Sequence, residues 1–545
     1  MKQIVPYIII ALGGSLLFMH SLGSTPLFDW DEINFAESAR EMIVSGDYLR
    51  VQINFQPFWE KPPLFFWMQV LSMKMFGINE FAARFPNAIC GIVTLMVLYS
   101  IGKKLHSKNF AGWLVLIYVS SFLPHVYFKS GIIDPWFNLF IFLGIFYLSE
   151  FLSNHTSTNN YKSLFISGLF TGLAILTKGP VGLMIVVLTY LVYILLNKGK
   201  GWLKIKYYLL WGSMVASFAL IWFGLEIYKH GWWFVNEFFT YQIRLAKTED
   251  AGHGGFPFYH FVVLMLGCFP ASILMLNFKK TEAESPNTRI FKQMMFSSLI
   301  VILVVFSLVK TKIIHYSSFA YFPIVYLAVN SIDQYLLGKM KWKRYQQVML
   351  LSITGIWAIV FVIAPFLFMH LEWLKPLFSA DLFAMANLNA SVNWNYIYLF
   401  PGILFLVGLI IGAVFIYRNK FRLGLIVICI ACILLIQSIL TFFVPNIEQY
   451  TQHAAIEFFK SLKEKDVYVK PLGYKSYAPY FYAEVKPYSN KNAYNDDWMI
   501  HGKIDKPVYL VTRIDRKQEV LEKYGSKLII LYEKNGFVFM TKKDH

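Results

Sequence analysis

Apolar runs of roughly 17–22 residues recur from Tyr7–Leu22 to Leu423–Val444, each long enough to cross a hydrocarbon core of about 30 Å. Inside a bilayer no water satisfies the backbone, so runs of this kind have to be helices. Counted along the chain they come to about thirteen, which predicts an all-α polytopic membrane protein. With 57% of its 545 residues hydrophobic and only 15% charged, the chain has too little polar surface for a soluble domain of this length. Met1–Leu22 has the look of a signal peptide, but no small-residue cleavage site follows, so it is expected to stay as an uncleaved first helix.

The net charge of +18 raises nucleic acid as a partner until its placement is examined. Basic residues gather in alternate loops, as in Lys103, Lys104 and Lys108, then Lys198, Lys200, Lys204 and Lys206, then Lys339, Lys341, Lys343 and Arg344, then Arg418, Lys420 and Arg422. That is the positive-inside pattern of cytoplasmic loops. The charge therefore reports topology, and no nucleic acid is expected. Thirteen spans starting inside would leave the tail outside, on the same face as the large first loop. Four cysteines, Cys90, Cys268, Cys429 and Cys432, all lie in apolar runs; Cys429 and Cys432 read as two small residues on one helix face, and the outer loops hold no disulfide framework.

Two domains are expected: residues 1–444 form the membrane body, with residues 23–86 its first extracytoplasmic loop, and residues 445–545 form a small soluble α/β domain. In the latter, VYVKPLG and PVYLVTRI read as strands, YTQHAAIEFFKSLKEK and RKQEVLEKYG as helices, and KLIILYEKNGFVFMTK as a hairpin around Lys534, Asn535 and Gly536. No solenoid-length repeat and no long low-complexity segment interrupts this plan.

The first loop carries the chemistry. Between Phe28 and Trp67 it concentrates acids, a lysine and aromatic rings beside a membrane wall, a composition suited to holding a sugar and a lipid phosphate together. Asp31 and Glu32 follow the first span; either they cap the next helix, or a carboxylate here takes a proton from an acceptor. Glu37 and Glu41 follow at helical spacing and would already serve as caps. In WEKPP, Glu60 precedes Lys61, and Pro62 and Pro63 fix the backbone after it, so the ammonium is aimed rather than swinging. A lysine held near lipid headgroups suits a phosphate leaving group, whose growing charge needs a cation. Asp134 precedes Pro135 at the outer mouth of a span and is either a helix cap or a second functional acid. Farther on, Arg244 and Lys247 lie in an outer connection with a GHGG stretch around His253, and Arg244 has the fork geometry for phosphate. Lys310 and Lys312 break the positive-inside pattern just before a span, either snorkelling or binding an anion, and His315 and Tyr316 lie one turn below.

Taken in order, DWDEINFAESAREM, FWEKPPLFFW, FAARFPNAICG, LTKGPVG and KTKIIHY with its following FP resemble the GT-C glycosyltransferases that use polyprenyl-phosphate sugars. The nearest branch is the lipid A aminoarabinose (4-amino-4-deoxy-L-arabinose) transferase, with the protein O-mannosyltransferases more distant. The resemblance spans Pro6 to Gln452. It implies thirteen helices, an extracytoplasmic active site at the inner membrane, inversion at the anomeric carbon, an undecaprenyl-phosphate-linked sugar donor, and a lipid A-like acceptor favoured over a protein hydroxyl. By the same resemblance Asp31 is the essential first-loop acid with Asp134 as a second, Lys61, Arg244 and Tyr316 bind the donor phosphate, and Glu60 contacts a divalent metal. That branch places a histidine five residues before the arginine, where this chain has Phe239, so a metal would need His253 or His315 as substitute. A polytopic lipid or sugar transporter or flippase is the alternative; it calls for discontinuous helices, mid-bilayer charges and internal repeats.

Overall fold

The computed structural model describes residues 3–29, 31–154, 161–247, 254–278 and 285–543, with only the backbone described at 154 and 245–247. Trp30, His253 and the side chain of Lys247 lie outside the described residues. Every apolar run becomes a helix or a pair of helices. Among the described residues, seven are long and apolar enough to cross a membrane, eight if Lys108–Ser120 and Phe122–Lys129, bent by 82°, form one span. Val5–Met19, Leu64–Phe76 and Val181–Leu196 are apolar but shorter. Other runs are broken: Phe258–Phe278 divides into Tyr259–Gly267 and Ala271–Met275 around Pro270, which has no N–H to continue the ladder. Ile313–Ile332 begins as a 3-10 turn, Ile314–Ala320, before the helix Tyr321–Leu336.

Polar residues at the ends set where these helices start. Asn79 accepts a hydrogen bond from the Ala82 N–H to open Glu80–Leu105, and Ser107 does the same for Phe110 to open Lys108–Ser120. Between helices the small residues allow close approach. A Cβ on Gly412 would sit 2.9 Å from the Gly424 carbonyl and one on Gly424 2.6 Å from the Gly412 carbonyl, so Phe400–Tyr417 and Phe421–Ser438 pack backbone to backbone. Cys429 and Cys432 are buried on the second of these helices, unbridged.

The first loop is not a solvated strap. Its helix Asp31–Ser45 is buried continuously from Glu32 to Met42, and a two-residue-stranded hairpin, Gln52–Ile53 with Gln56–Pro57, and the helix Leu64–Phe76 follow. Glu37 and Glu41, expected as helix caps, are completely buried. Arg40 grips Glu37 through two 2.7 Å hydrogen bonds, while Glu41 accepts the Phe55 N–H at 2.7 Å. Burial and the neighbouring Glu37 charge push the Glu41 carboxyl far above its ordinary range, so it carries a proton at neutral pH.

The C-terminal segment forms a four-stranded sheet ordered Tyr468–Pro471, Val508–Arg513, Phe537–Lys542, Leu528–Lys534, its first pair parallel and the others antiparallel. Helices His453–Ser461 and Lys517–Tyr524 accompany it, where the apolar periodicity puts them. The hairpin turns at Asn535 and Gly536, both at positive φ, as a two-residue loop requires. This unit docks on the first loop: the Leu27 N–H donates to the Tyr482 hydroxyl at 2.7 Å, Gln452 donates to the Leu27 carbonyl at 2.7 Å, and Arg40 donates to the Val485 carbonyl at 2.7 Å. Loop and tail therefore share one face of the molecule.

Candidate active site

Asp31 opens the helix Asp31–Ser45 and keeps 43% of its side chain exposed, so it can meet a ligand. Glu32, expected beside it as a second catalytic acid, is turned the other way. Its Oε1 accepts from Arg84 Nε at 3.0 Å and from the Gly131 N–H, and its Oε2 accepts from Arg84 Nη2 at 2.7 Å and from the Phe28 N–H at 3.0 Å. Burial alone would raise its pKa, but the Arg84 charge and these bonds outweigh it and hold the carboxyl below its ordinary range. Arg84 also donates to the carbonyls of Leu22, Thr25 and Pro26. Glu32 is thus corrected from a catalytic acid to the fastening that sets where Asp31 stands.

Asp134 begins the helix Asp134–Asn154 and is only 2% exposed. Lys178 reaches it at 2.6 Å and the Ser318 hydroxyl lies 3.3 Å from it. A buried carboxylate held by an ammonium and a hydroxyl positions its neighbours rather than meeting bulk solvent. Lys178 escaped sequence reasoning except as part of LTKGPVG. The signal that could have found it is the one that marked Lys310 and Lys312, a lysine at a helix end that the charge pattern of the sequence assigns to the outer side. Tyr316 joins this group, its ring centroid 6.0 Å from the Lys178 ammonium. Lys312 does not: its ammonium donates to the carbonyls of Phe306, Ser307 and Val309, closing the end of the helix Pro286–Leu308.

A second group forms around Tyr241. The Lys61 ammonium lies 5.4 Å and the Arg244 guanidinium 5.2 Å from its ring centroid, so the two cations are separated by no more than twice that. The Tyr241 hydroxyl donates to Glu60 at 3.0 Å, and Glu60 stands 3.9 Å from Lys61. Arg244 is not in a loop, as the sequence suggested, but on the last turns of the helix Trp233–Lys247. That helix buries Phe234 and Phe238 and exposes Phe239 and Ile243. The Phe238 ring lies over Gly179, where a Cβ would come within 2.4 Å. This contact brings the Tyr241 group beside the residue following Lys178. Tyr316, expected with Lys61 and Arg244, belongs by its contacts to the Lys178 side of this junction.

The described donor set around Glu60 is short of ligands for a divalent metal, and His253 lies outside the described residues. Among the described residues no three His, Cys, Asp or Glu side chains come together; Glu60 has a tyrosine and an ammonium as neighbours, and Phe239 supplies no ligand atom.

The tail closes one side. Asp29 accepts from the Tyr477 N–H at 3.5 Å; burial, only partly offset by Ser476, Tyr477 and Lys475, raises its pKa to about 6. Burial and then the Glu60 and Asp29 charges push the Tyr477 hydroxyl up, so a tail residue stands near two of the first-loop acids.

The dolichyl-phosphate-mannose-protein mannosyltransferase family matches residues 60–223. An uncharacterized protein of Aquifex aeolicus is 27% identical over 394 residues, 70% of this chain and 72% of its own. The undecaprenyl phosphate-alpha-4-amino-4-deoxy-L-arabinose arabinosyl transferase of Photorhabdus laumondii is 24% identical over 423 residues, 74% and 75% of the two chains. Among solved structures, ArnT from Cupriavidus metallidurans bound to undecaprenyl phosphate superposes with a TM-score of 0.75 at 18% identity, covering 99% of this chain and 98% of that one. The shared fold thus includes the C-terminal sheet as well as the helical body. The chain thus has the fold of the GT-C membrane glycosyltransferases, and in sequence it is similar to the aminoarabinose transferases and, over residues 60–223, to the protein mannosyltransferases.

Proposed function

We propose that the protein moves a sugar from undecaprenyl phosphate to a lipid A-like glycolipid, at the periplasmic face of the inner membrane, with inversion at the anomeric carbon. The observation that carries this reading is the pair of cations, Lys61 and Arg244, gathered on the Tyr241 ring on the face that also holds half-exposed Asp31. Two positive groups over one aromatic suit a lipid phosphate, and the arabinosyl transferases and undecaprenyl phosphate-bound ArnT similar to this chain supply the donor class. The acceptor oxygen attacks the anomeric carbon as the bond to the phosphate oxygen breaks. The polyprenyl phosphate leaves as an anion held by Lys61 and Arg244, so no acid need protonate it. Asp31 takes the proton of a hydroxyl acceptor, or orients a phosphate acceptor that has no proton to lose. Asp134 is tied to Lys178, whose ammonium faces the Tyr316 ring.

A protein hydroxyl is the second acceptor, favoured by the mannosyltransferase match over residues 60–223. The bent pair at Ser121 and the run broken at Pro270 are features a transporter would share. Mass spectrometry of lipid A and of secreted proteins, from cells with the chain, without it and with Asp31→Asn, separates these readings. The expected result is a sugar increment on lipid A that needs Asp31; an increment on protein alone moves the acceptor, and none on either refutes transfer.

A further inference from the structure

Beside Asp31 stands His315, whose Nε2 lies 3.8 Å from Oδ2. The other ring nitrogen, Nδ1, is 2.7 Å from the Tyr127 hydroxyl. Tyr127 is almost wholly buried and packs edge-on against both the His315 and Tyr321 rings. A neutral imidazole carries one proton, and these two neighbours decide where it sits. With the proton on Nδ1, the Nε2 lone pair would face a carboxylate. With it on Nε2, an N–H faces Asp31 and the Tyr127 hydroxyl donates to Nδ1. Only the second arrangement is attractive at both ends.

The backbone holds the ring there. His315 belongs to the 3-10 turn Ile314–Ala320, whose Ser318 hydroxyl donates to the His315 carbonyl at 2.7 Å and also reaches Asp134. One short turn therefore touches both acids of the site, Asp31 through an imidazole and Asp134 through a hydroxyl. The separation of 3.8 Å is too long for a hydrogen bond, but close contacts of this kind tighten when substrate fills a site.

We infer that His315, with its tautomer set by Tyr127, is a positioning residue for Asp31, presenting an N–H that fixes the carboxylate toward the acceptor. This rests on the transferase reading of Asp31. A charge-assisted bond of this type predicts that His315→Leu lowers kcat by roughly ten- to a hundredfold, with KM for the donor and undecaprenyl phosphate binding unchanged. His315→Gln, whose amide places an N–H near the Nε2 position, restores most of the rate. A residue that only fills space would be rescued by Leu and not by Gln. Tyr127→Phe, which removes the tautomer lock, lowers kcat several-fold at constant KM, and it decides the matter if His315→Leu does not fold.

The test is steady-state transfer and undecaprenyl phosphate binding by the purified full-length chain and these variants, with Asp31→Asn alongside. If Asp31→Asn turns over normally, the role given to Asp31 falls, and the inference with it. If Asp31→Asn is inactive while His315→Leu and Tyr127→Phe match the unaltered protein, only the inference is overturned. Loss of donor binding in His315→Leu, or a folded His315→Gln no faster than His315→Leu, overturns it as well.

Discussion

Replacing Glu32 by Gln separates the two roles that adjacent acids can have. In the structure each Glu32 oxygen serves two donors: Oε1 takes Arg84 Nε and the Gly131 N–H, Oε2 takes Arg84 Nη2 and the Phe28 N–H. A glutamine offers one oxygen and one NH2, so whichever way the amide turns, two N–H donors face a donor. At 6% exposure bulk water does not replace the lost acceptor, and Arg84 is left buried with its charge uncompensated. Breaking a buried pair from one side costs about 3–5 kcal/mol, a large part of the stability of any fold. Glu32→Gln should therefore lower the apparent unfolding temperature in detergent, followed by tryptophan fluorescence. The turnover of molecules that remain folded should fall far less than in Asp31→Asn. Exchanging both partners, Glu32→Leu with Arg84→Met, should cost less than either change alone, because no orphan charge remains. The pH dependence has a definite sign: a carboxyl held below its ordinary pKa stabilises the fold above that ordinary value and loses the contribution as pH falls through the depressed one. Glu32→Gln should flatten that acid limb. A variant of full stability with abolished turnover would refute the reasoning and return Glu32 to the catalytic acids.

Lys61→Ala and Arg244→Ala should each weaken undecaprenyl phosphate binding by roughly tenfold to a hundredfold, and the double variant by less than the product, because both cations share the Tyr241 ring; strict additivity in a binding cycle would dissolve the clamp. Lys178→Met should destabilise the fold by about 3–5 kcal/mol by stranding buried Asp134, and Lys178→Arg should recover much of it; equal unfolding temperatures for Met, Arg and the unaltered chain would count against the pairing. Asp29, with its pKa raised to about 6 by burial, binds its proton more tightly folded than unfolded, so the stability it adds is present at low pH and declines as pH rises from about 4 to 6. Asp29→Asn should remove that decline from the difference between the two unfolding curves, and parallel curves would place the titration elsewhere.

What could be read from the chain, and what could not, follows from the range of each signal. Apolar periodicity is local, so it placed each helical run, the tail strands and the Asn535–Gly536 turn correctly, yet it could not see that Pro270 splits one run or that Ile314–Ala320 winds as a 3-10 turn. The proline pair after Lys61 was a local signal too, and it singled out the lysine beside Tyr241. The acids of the first loop were harder. By residue type and spacing Asp31 and Glu32 are adjacent carboxylates of equal claim; the resemblance alone favours Asp31, and Arg84, 52 residues away, supplies the physical reason. Glu37 and Glu41 read as caps because their surroundings, the Arg40 to Val485 bond and the hairpin at Phe55, depend on how the loop folds and meets the tail. Lys178 and Asp134 are 44 residues apart, His315 and Tyr127 188 apart. A spacing rule reports which residues share a face of one helix; it is silent on which faces meet. Charge placed against the rule of its surroundings is the one long-range clue that survives in a single sequence. Lys178, at a helix end that the charge pattern assigns to the outer side, carried that clue as plainly as Lys312 did. One lysine proved to hold a site acid and the other a helix end, so the clue finds charges that must be satisfied, and only the fold says by what.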